Sequence, residues 1–179
     1  PLAGFCAVRF GVRRILVSSV IGFTIASMMC GAAQTLPQLV AFRTLQGICG
    51  AALVPLSQTL MMEAYPREEQ GKAMAMWGVG TMLGPISGPT LGGWLTDEYT
   101  WRWVFYINLP VGILCTVGLM ILVKNKASDT PRPFDLLGFS LLAIAIGTFQ
   151  LMLDRGEQLD WFGSREIIVE AVVAGVAAA

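Results

Sequence analysis

Arg43 is the residue of this sequence best placed to do chemistry, because it stands inside an apolar stretch and not at its edge. No other charged residue lies between Ile15 and Met62. A charge within a membrane helix costs about 2.5–3.5 kcal/mol on insertion scales, so it rarely faces lipid. At helical spacing its neighbours are Gln46, Gly47, Gly50, Val54, Ser57 and Gln58. They form one small and polar face along the helix. Such a face lines an aqueous cavity or meets a neighbouring helix through polar contacts. The alternative is an arginine near the outer end of its helix, reaching for the headgroups.

The second constellation is GPISGPTLGG, residues 84 to 93. Glycines recur at Gly80, Gly84, Gly88 and Gly92, with Gly93 beside the last. A four-residue step advances about 40° around a helix, so the glycines form one slowly winding stripe. Small-xxx-small stripes let two membrane helices touch backbone to backbone. Pro85 and Pro89 share the same spacing, and each removes one helical N–H. The carbonyls of Thr81 and Pro85 thereby lose partners on one side, which predicts a kinked, closely packed helix whose glycine face avoids lipid.

Enzymatic constellations are missing. There is no histidine, no phosphate-binding GxxxxGK[ST] and no metal-ligand cluster, so neither catalytic residues nor cofactor are expected. Asp97-Glu98, Glu68-Glu69 and Asp154/Glu157/Asp160 fall at predicted loops or boundaries, where water solvates them. Cys6, Cys30, Cys49 and Cys115 are widely spaced and read as small packing residues. Net charge is zero with no basic block, which speaks against nucleic acid.

The elements that position these residues follow from composition. The chain is 55% hydrophobic and 13% charged, against about 25% charged in soluble domains. Its apolar runs approach the roughly 20 residues that a bilayer requires. They predict spans at 15–33, 39–62, 73–95, 104–123 and 136–153, with a further one opening at Ile167. Both ends read as cut, so the chain is expected to be a fragment of a longer, all-α polytopic membrane protein. Arg9, Arg13 and Arg14, then Arg67 and Lys72, then Lys124, Lys126 and Arg132 make up eight of the twelve basic residues. They recur in alternate connections, which the positive-inside rule places in the cytoplasm. The segments 34–38, 96–102 and 155–166 then face outward. Trp94, Trp101, Trp103 and Trp161 lie near those outer boundaries and read as interfacial anchors.

Four motifs jointly resemble the major facilitator superfamily, specifically the fourteen-helix drug:proton antiporters of the EmrB/QacA type and, within it, the EmrB branch. GFCAVRFGVRR, with Gly4, Arg9, Gly11, Arg13 and Arg14, is similar to the cytoplasmic loop between helices 2 and 3. RTLQGICGAA resembles the helix 4 motif, GPISGPTLGG the helix 5 antiporter motif, and WRWVFYINLPVG the entry to helix 6. FQLMLDRGEQLDWF resembles the end of the extra helix that fourteen-helix members carry. The chain departs at Val8, where the loop motif usually has an aspartate on which a charge latch is built.

The resemblance implies a partial N-terminal bundle over residues 1–123, a cytoplasmic loop at 124–134 and linker helices over 135–179, the second truncated. It implies export of hydrophobic, often cationic or uncoupler-like drugs from the cell inner membrane by proton antiport. Arg43 would bias protonation of a nearby carboxylate, with Gln46, Ser57 and Gln58 lining the same cavity. It further implies a periplasmic adaptor and an outer-membrane channel as partners in Gram-negative hosts, besides the lipid bilayer. A nutrient facilitator or symporter on the same scaffold and a non-transport membrane anchor are the competing readings. The proline-rich helix opposes the first, and Arg43 on a polar face opposes the second.

Overall fold

The computed structural model describes residues 2–123, 135–158 and 161–178. Lys124, Lys126, Arg132 and Asp160 lie outside them. All regular structure among the described residues is helical. The chain divides into two compact units, Ala3–Pro131 and a second from Arg132 onward.

The larger unit is built from α1 (Leu2–Phe10), α2 (Val12–Ala32), α3 (Leu36–Gly50), α4 (Leu53–Ala64), α5 (Gln70–Glu98), the one-turn α6 (Trp103–Tyr106) and α7 (Asn108–Leu122). Four segments among the described residues are long and apolar enough to cross a membrane. They are Val12–Ala32, Leu36–Ala64, Trp103–Leu122 and, in the smaller unit, Leu136–Gly156. The span predicted at 73–95 is not among them, although α5 covers it with 29 residues. Its glycines and prolines dilute the apolarity while adding no charge between Lys72 and Asp97.

Two predicted spans are interrupted. The helix carrying Arg43 breaks at Ala51-Ala52, three residues before Pro55, and resumes as α4. The span predicted at 104–123 breaks at Ile107 between α6 and α7, close to Pro110. Each proline lacks the N–H that would continue the helical ladder. The turn-like segment at 34–38 is shorter than expected. Thr35 caps α3 by accepting the Gln38 N–H at 3.4 Å, and Pro37 occupies the first turn, where its missing N–H costs nothing.

The predicted loop from Gly4 to Arg14 is also mostly helix. One residue makes the bend: Gly11 has φ 90°, in the region that glycine alone enters freely. Its N–H still bonds the Ala7 carbonyl at 2.8 Å, and its own carbonyl accepts from Ile15 at 3.2 Å. The bend therefore leaves the backbone satisfied. Beside it Ala7, Leu16 and Leu56 form a small buried cluster joining α1, α2 and α4.

Glycines set how closely α2 meets its neighbours. A Cβ on Gly22 would stand 2.8 Å from Cys49 Sγ of α3, and one on Gly50 would stand 3.1 Å from the Phe23 ring. On Gly112 of α7 it would overlap the Thr24 hydroxyl, and on Gly31 the Tyr106 ring. Here two small cysteines, Cys30 and Cys49, act as packing residues against α2 and α3.

In the smaller unit α8 (Leu136–Gly156) packs on α9 (Arg165–Ala178) across a 3-10 turn at Trp161–Gly163. Asp135 caps α8 by accepting the Gly138 N–H at 2.9 Å. Arg155 at its other end pairs with Glu166 at 3.1 Å and Glu170 at 3.7 Å, one turn apart on α9. The Trp161 ring lies over Gly156, where a Cβ would come within 2.7 Å.

The close approach of α2 and α7 generates a first prediction. Gly112→Val in the full-length protein should lower stability by about 1–3 kcal/mol through overpacking. Unfolding titrations from mild detergent into SDS will read it, and wild-type stability would refute the contact.

Candidate functional site

The Arg43 guanidinium has two described partners, and both are neutral. Nη1 donates to Gln46 Oε1 at 3.1 Å, and Cζ stands 4.5 Å from the centroid of the Phe105 ring. Gln46 lies one turn further along α3, which is the i, i+3 neighbour relation. It is 4% exposed, and its Oε1 also lies 4.0 Å from the Cys30 thiol of α2. Phe105 comes from α6 and is 6% exposed. A cation over an aromatic face is attracted by the ring quadrupole, by about 0.5–2 kcal/mol depending on desolvation. The arginine is thus held by its own helix on one side and by α6 on the other. Among the described residues it has no ion-pair partner.

Phe105 is held in turn. Its carbonyl accepts the Ser27 hydroxyl at 3.0 Å, and Ser27 Oγ accepts from Asn108 Nδ2 at 2.8 Å. Ser27 is fully buried in α2. Arg102, at the entry to α6, donates to the Ala33 carbonyl at 2.8 Å while its guanidinium lies 4.7 Å from the Trp101 ring centroid. Trp94, Tyr99, Trp103 and Tyr106 continue as successive ring contacts with centroids 5.8–6.0 Å apart.

The other expected site residues separate into groups. Ser57 Oγ accepts the Trp77 indole N–H at 3.1 Å, tying α4 to α5, and donates to the Val54 carbonyl at 2.8 Å. Gln58 is half-buried beside it. The break at Ala51-Ala52 separates this pair from Arg43 and Gln46 along the chain. Of the loop motif, Arg13 donates to the Met120 carbonyl near the end of α7, Arg9 lies 5.9 Å from the Phe10 ring centroid, and Gly4 and Arg14 are exposed.

The glycine stripe meets little of this chain. Among the described residues nothing stands within 4 Å of a Cβ placed on Gly80, Gly84, Gly88 or Gly93, and Gly92 has only Val104 at 3.9 Å. Helix α5 runs unbroken through Pro85 and Pro89.

Sequence reasoning missed Ser27, Phe105, Asn108 and Trp77. Asn108 carried a usable signal, a carboxamide opening an otherwise apolar run. Phe105 and Ser27 carried none, since a phenylalanine and a serine in an apolar helix are ordinary.

The arrangement matches known proteins along its whole length. Residues 1–178 match the Major Facilitator Superfamily. The chain belongs to that superfamily. It is similar to the multidrug export protein EmrB of Escherichia coli strain K12, at 43% identity over 178 residues, 99% of this chain and 35% of the relative. It is similar also to the fatty acid resistance protein FarB of Neisseria gonorrhoeae, at 42% identity over 97% of this chain and 34% of FarB. EmrB of Haemophilus influenzae is 41% identical over 98% of this chain. The chain spans about a third of the length of these relatives. With this superfamily's membership and its apolar helices, it is a multi-pass protein of the inner membrane, and its family is one of transporters rather than enzymes.

The Arg43–Gln46 pair yields a thermodynamic prediction. A double-mutant cycle of Arg43→Met and Gln46→Leu should show coupling of about 1–2 kcal/mol, as expected for a charge-assisted hydrogen bond. SDS unfolding of the full-length protein measures it. Additivity within about 0.3 kcal/mol would sink the pairing.

Proposed function

We propose that this chain is part of a proton-coupled exporter of hydrophobic compounds, and not an enzyme. The observation that carries the reading is Arg43: a permanent cation within a membrane helix, held by the neutral Gln46 and Phe105 and not by a carboxylate of the described residues. Such a charge biases the protonation of an acid brought near it, because at low dielectric an adjacent cation favours the carboxylate. Proton release and drug binding then compete through that acid. The carboxylate belongs to the part of the protein outside this third. The names of the relatives, multidrug export and fatty acid resistance proteins, support hydrophobic cargo.

In this reading α1 is the end of helix 2, α2 is helix 3, α3 with α4 is helix 4, α5 is helix 5 and α6 with α7 is helix 6. Helices α8 and α9 belong to the linker pair. The open glycine stripe of α5 awaits a helix from elsewhere in the protein, with Pro85 and Pro89 on the same contact. A periplasmic adaptor and an outer-membrane channel complete the route out of a Gram-negative cell.

Arg43→Ala in the full-length protein should reduce drug-driven proton exchange at least about tenfold, equivalent to about 1.4 kcal/mol, with normal expression. Dye efflux in everted vesicles is the measurement, and an unchanged rate would refute the role. Gly88→Leu should likewise abolish transport by blocking the approach of the missing helix; wild-type efflux in that variant would show that the stripe is not a contact.

A further inference from the structure

We propose that Asn108 and Ser27 are positioning residues for Arg43: they hold the one-turn helix α6 so that the Phe105 ring lies over the guanidinium. The inference rests on the reading of Arg43 as the working cation. Helix α6 is the first turn of the Trp103–Leu122 segment: it ends at Tyr106 and α7 begins at Asn108, with Ile107 helical between them and Pro110 removing one ladder N–H shortly after. A terminal turn beside such a gap is weakly held by its own ladder, so tertiary contacts fix where it lies.

Those contacts converge on one buried hydroxyl. Ser27 Oγ has a single proton, and the Phe105 carbonyl takes it at 3.0 Å. The oxygen is then free only to accept, which is what the Asn108 carboxamide N–H does at 2.8 Å. The relay therefore has one direction: Asn108 to Ser27 to the Phe105 carbonyl. Ser27 is fully buried, so water cannot substitute for either bond. Losing Ser27 takes the side-chain donor from the Phe105 carbonyl, and losing Asn108 unties the start of α7 from Ser27 and leaves its hydroxyl free to rotate off that carbonyl; either change lets Phe105 turn. Its ring would move off the guanidinium that it now faces at 4.5 Å. Arg43 would keep Gln46, on its own helix, and lose the partner from α6.

The closing experiment reads Arg43 directly. The full-length protein in proteoliposomes is treated with phenylglyoxal, an arginine-selective dicarbonyl. Modification of Arg43 is followed by peptide mass spectrometry, with Arg67, likewise exposed but with no ring over its guanidinium among the described contacts, as the internal reference. Phe105→Leu keeps much of the volume and removes the ring, so the Arg43/Arg67 modification ratio should rise about three- to tenfold. Phe105→Tyr keeps the ring and should stay near wild type. Asn108→Ala and Ser27→Ala should both raise the ratio in the same direction as Phe105→Leu, though the ring is intact in each. A wild-type ratio in Asn108→Ala and Ser27→Ala, with Phe105→Leu raised, overturns the positioning role. No rise in any variant overturns it as well. Efflux is measured on the same membranes with Arg43→Lys added. Wild-type efflux in that variant, alongside the expected reactivity pattern, overturns the transport role of Arg43 and leaves the positioning supported.

Discussion

A guanidinium in the hydrocarbon of a bilayer has to be solvated by protein, and the placement of Arg43 imposes that requirement on every helix around it. Neutral partners carry the load: one amide oxygen on the same helix and one aromatic face from α6. Both are cheaper to bury than a second charge, and neither cancels the positive potential. A fixed cation of that kind still acts on any acid that approaches, which a tight salt bridge would not do.

Bringing α6 to α3 depends on how closely α2 can be approached, since α2 packs against α3, α6 and α7. Glycines stand at those contacts: Gly22 and Gly31 on α2, Gly50 on α3 and Gly112 on α7. With no hydrophobic force between helices in lipid, close packing and buried hydrogen bonds hold them together. The Ser27–Asn108 bond is one such contact. Arginines from neighbouring elements serve the same end differently. Arg102 covers the Ala33 carbonyl just past α2, and Arg13 covers the Met120 carbonyl near the end of α7. Carbonyls at helix C-termini lack intrahelical partners and carry partial negative charge, so a cation there satisfies both.

Helix α5 stands apart from this economy of contacts. Its described neighbours are α4, through Trp77 and Ser57, and α6. Among the described residues nothing covers its glycine face apart from Val104 near Gly92. Small residues along a membrane helix let another backbone approach closely, which is where packing and interhelical contacts gain most in lipid. The same glycines and prolines explain why α5 falls short of the apolarity of the four spanning segments.

Much was legible from the residues alone. Run length and the scarcity of charge are one-dimensional properties, and a bilayer responds to them directly, so the membrane class and the approximate spans could be read. Arg43 was legible because one charge in a long uncharged stretch is conspicuous, and Gln46 because helical spacing places it one turn away. The breaks at Ala51-Ala52 and Ile107 were not, since the continuous apolar runs hide them and the prolines nearby allow a kink as readily as an interruption. The reduction of the Gly4–Arg14 loop to one bend at Gly11 depended on a φ of 90° that no pattern announces. Ser27 in α2 lies 78 residues from Phe105 and 81 from Asn108 at the α6–α7 junction. Only the packing of those helices decides that they meet. Sequence determined that a charge must be housed within the membrane; the tertiary structure decided what houses it, because a hydrogen bond or a ring contact acts over a few ångströms of space and is blind to separation along the chain.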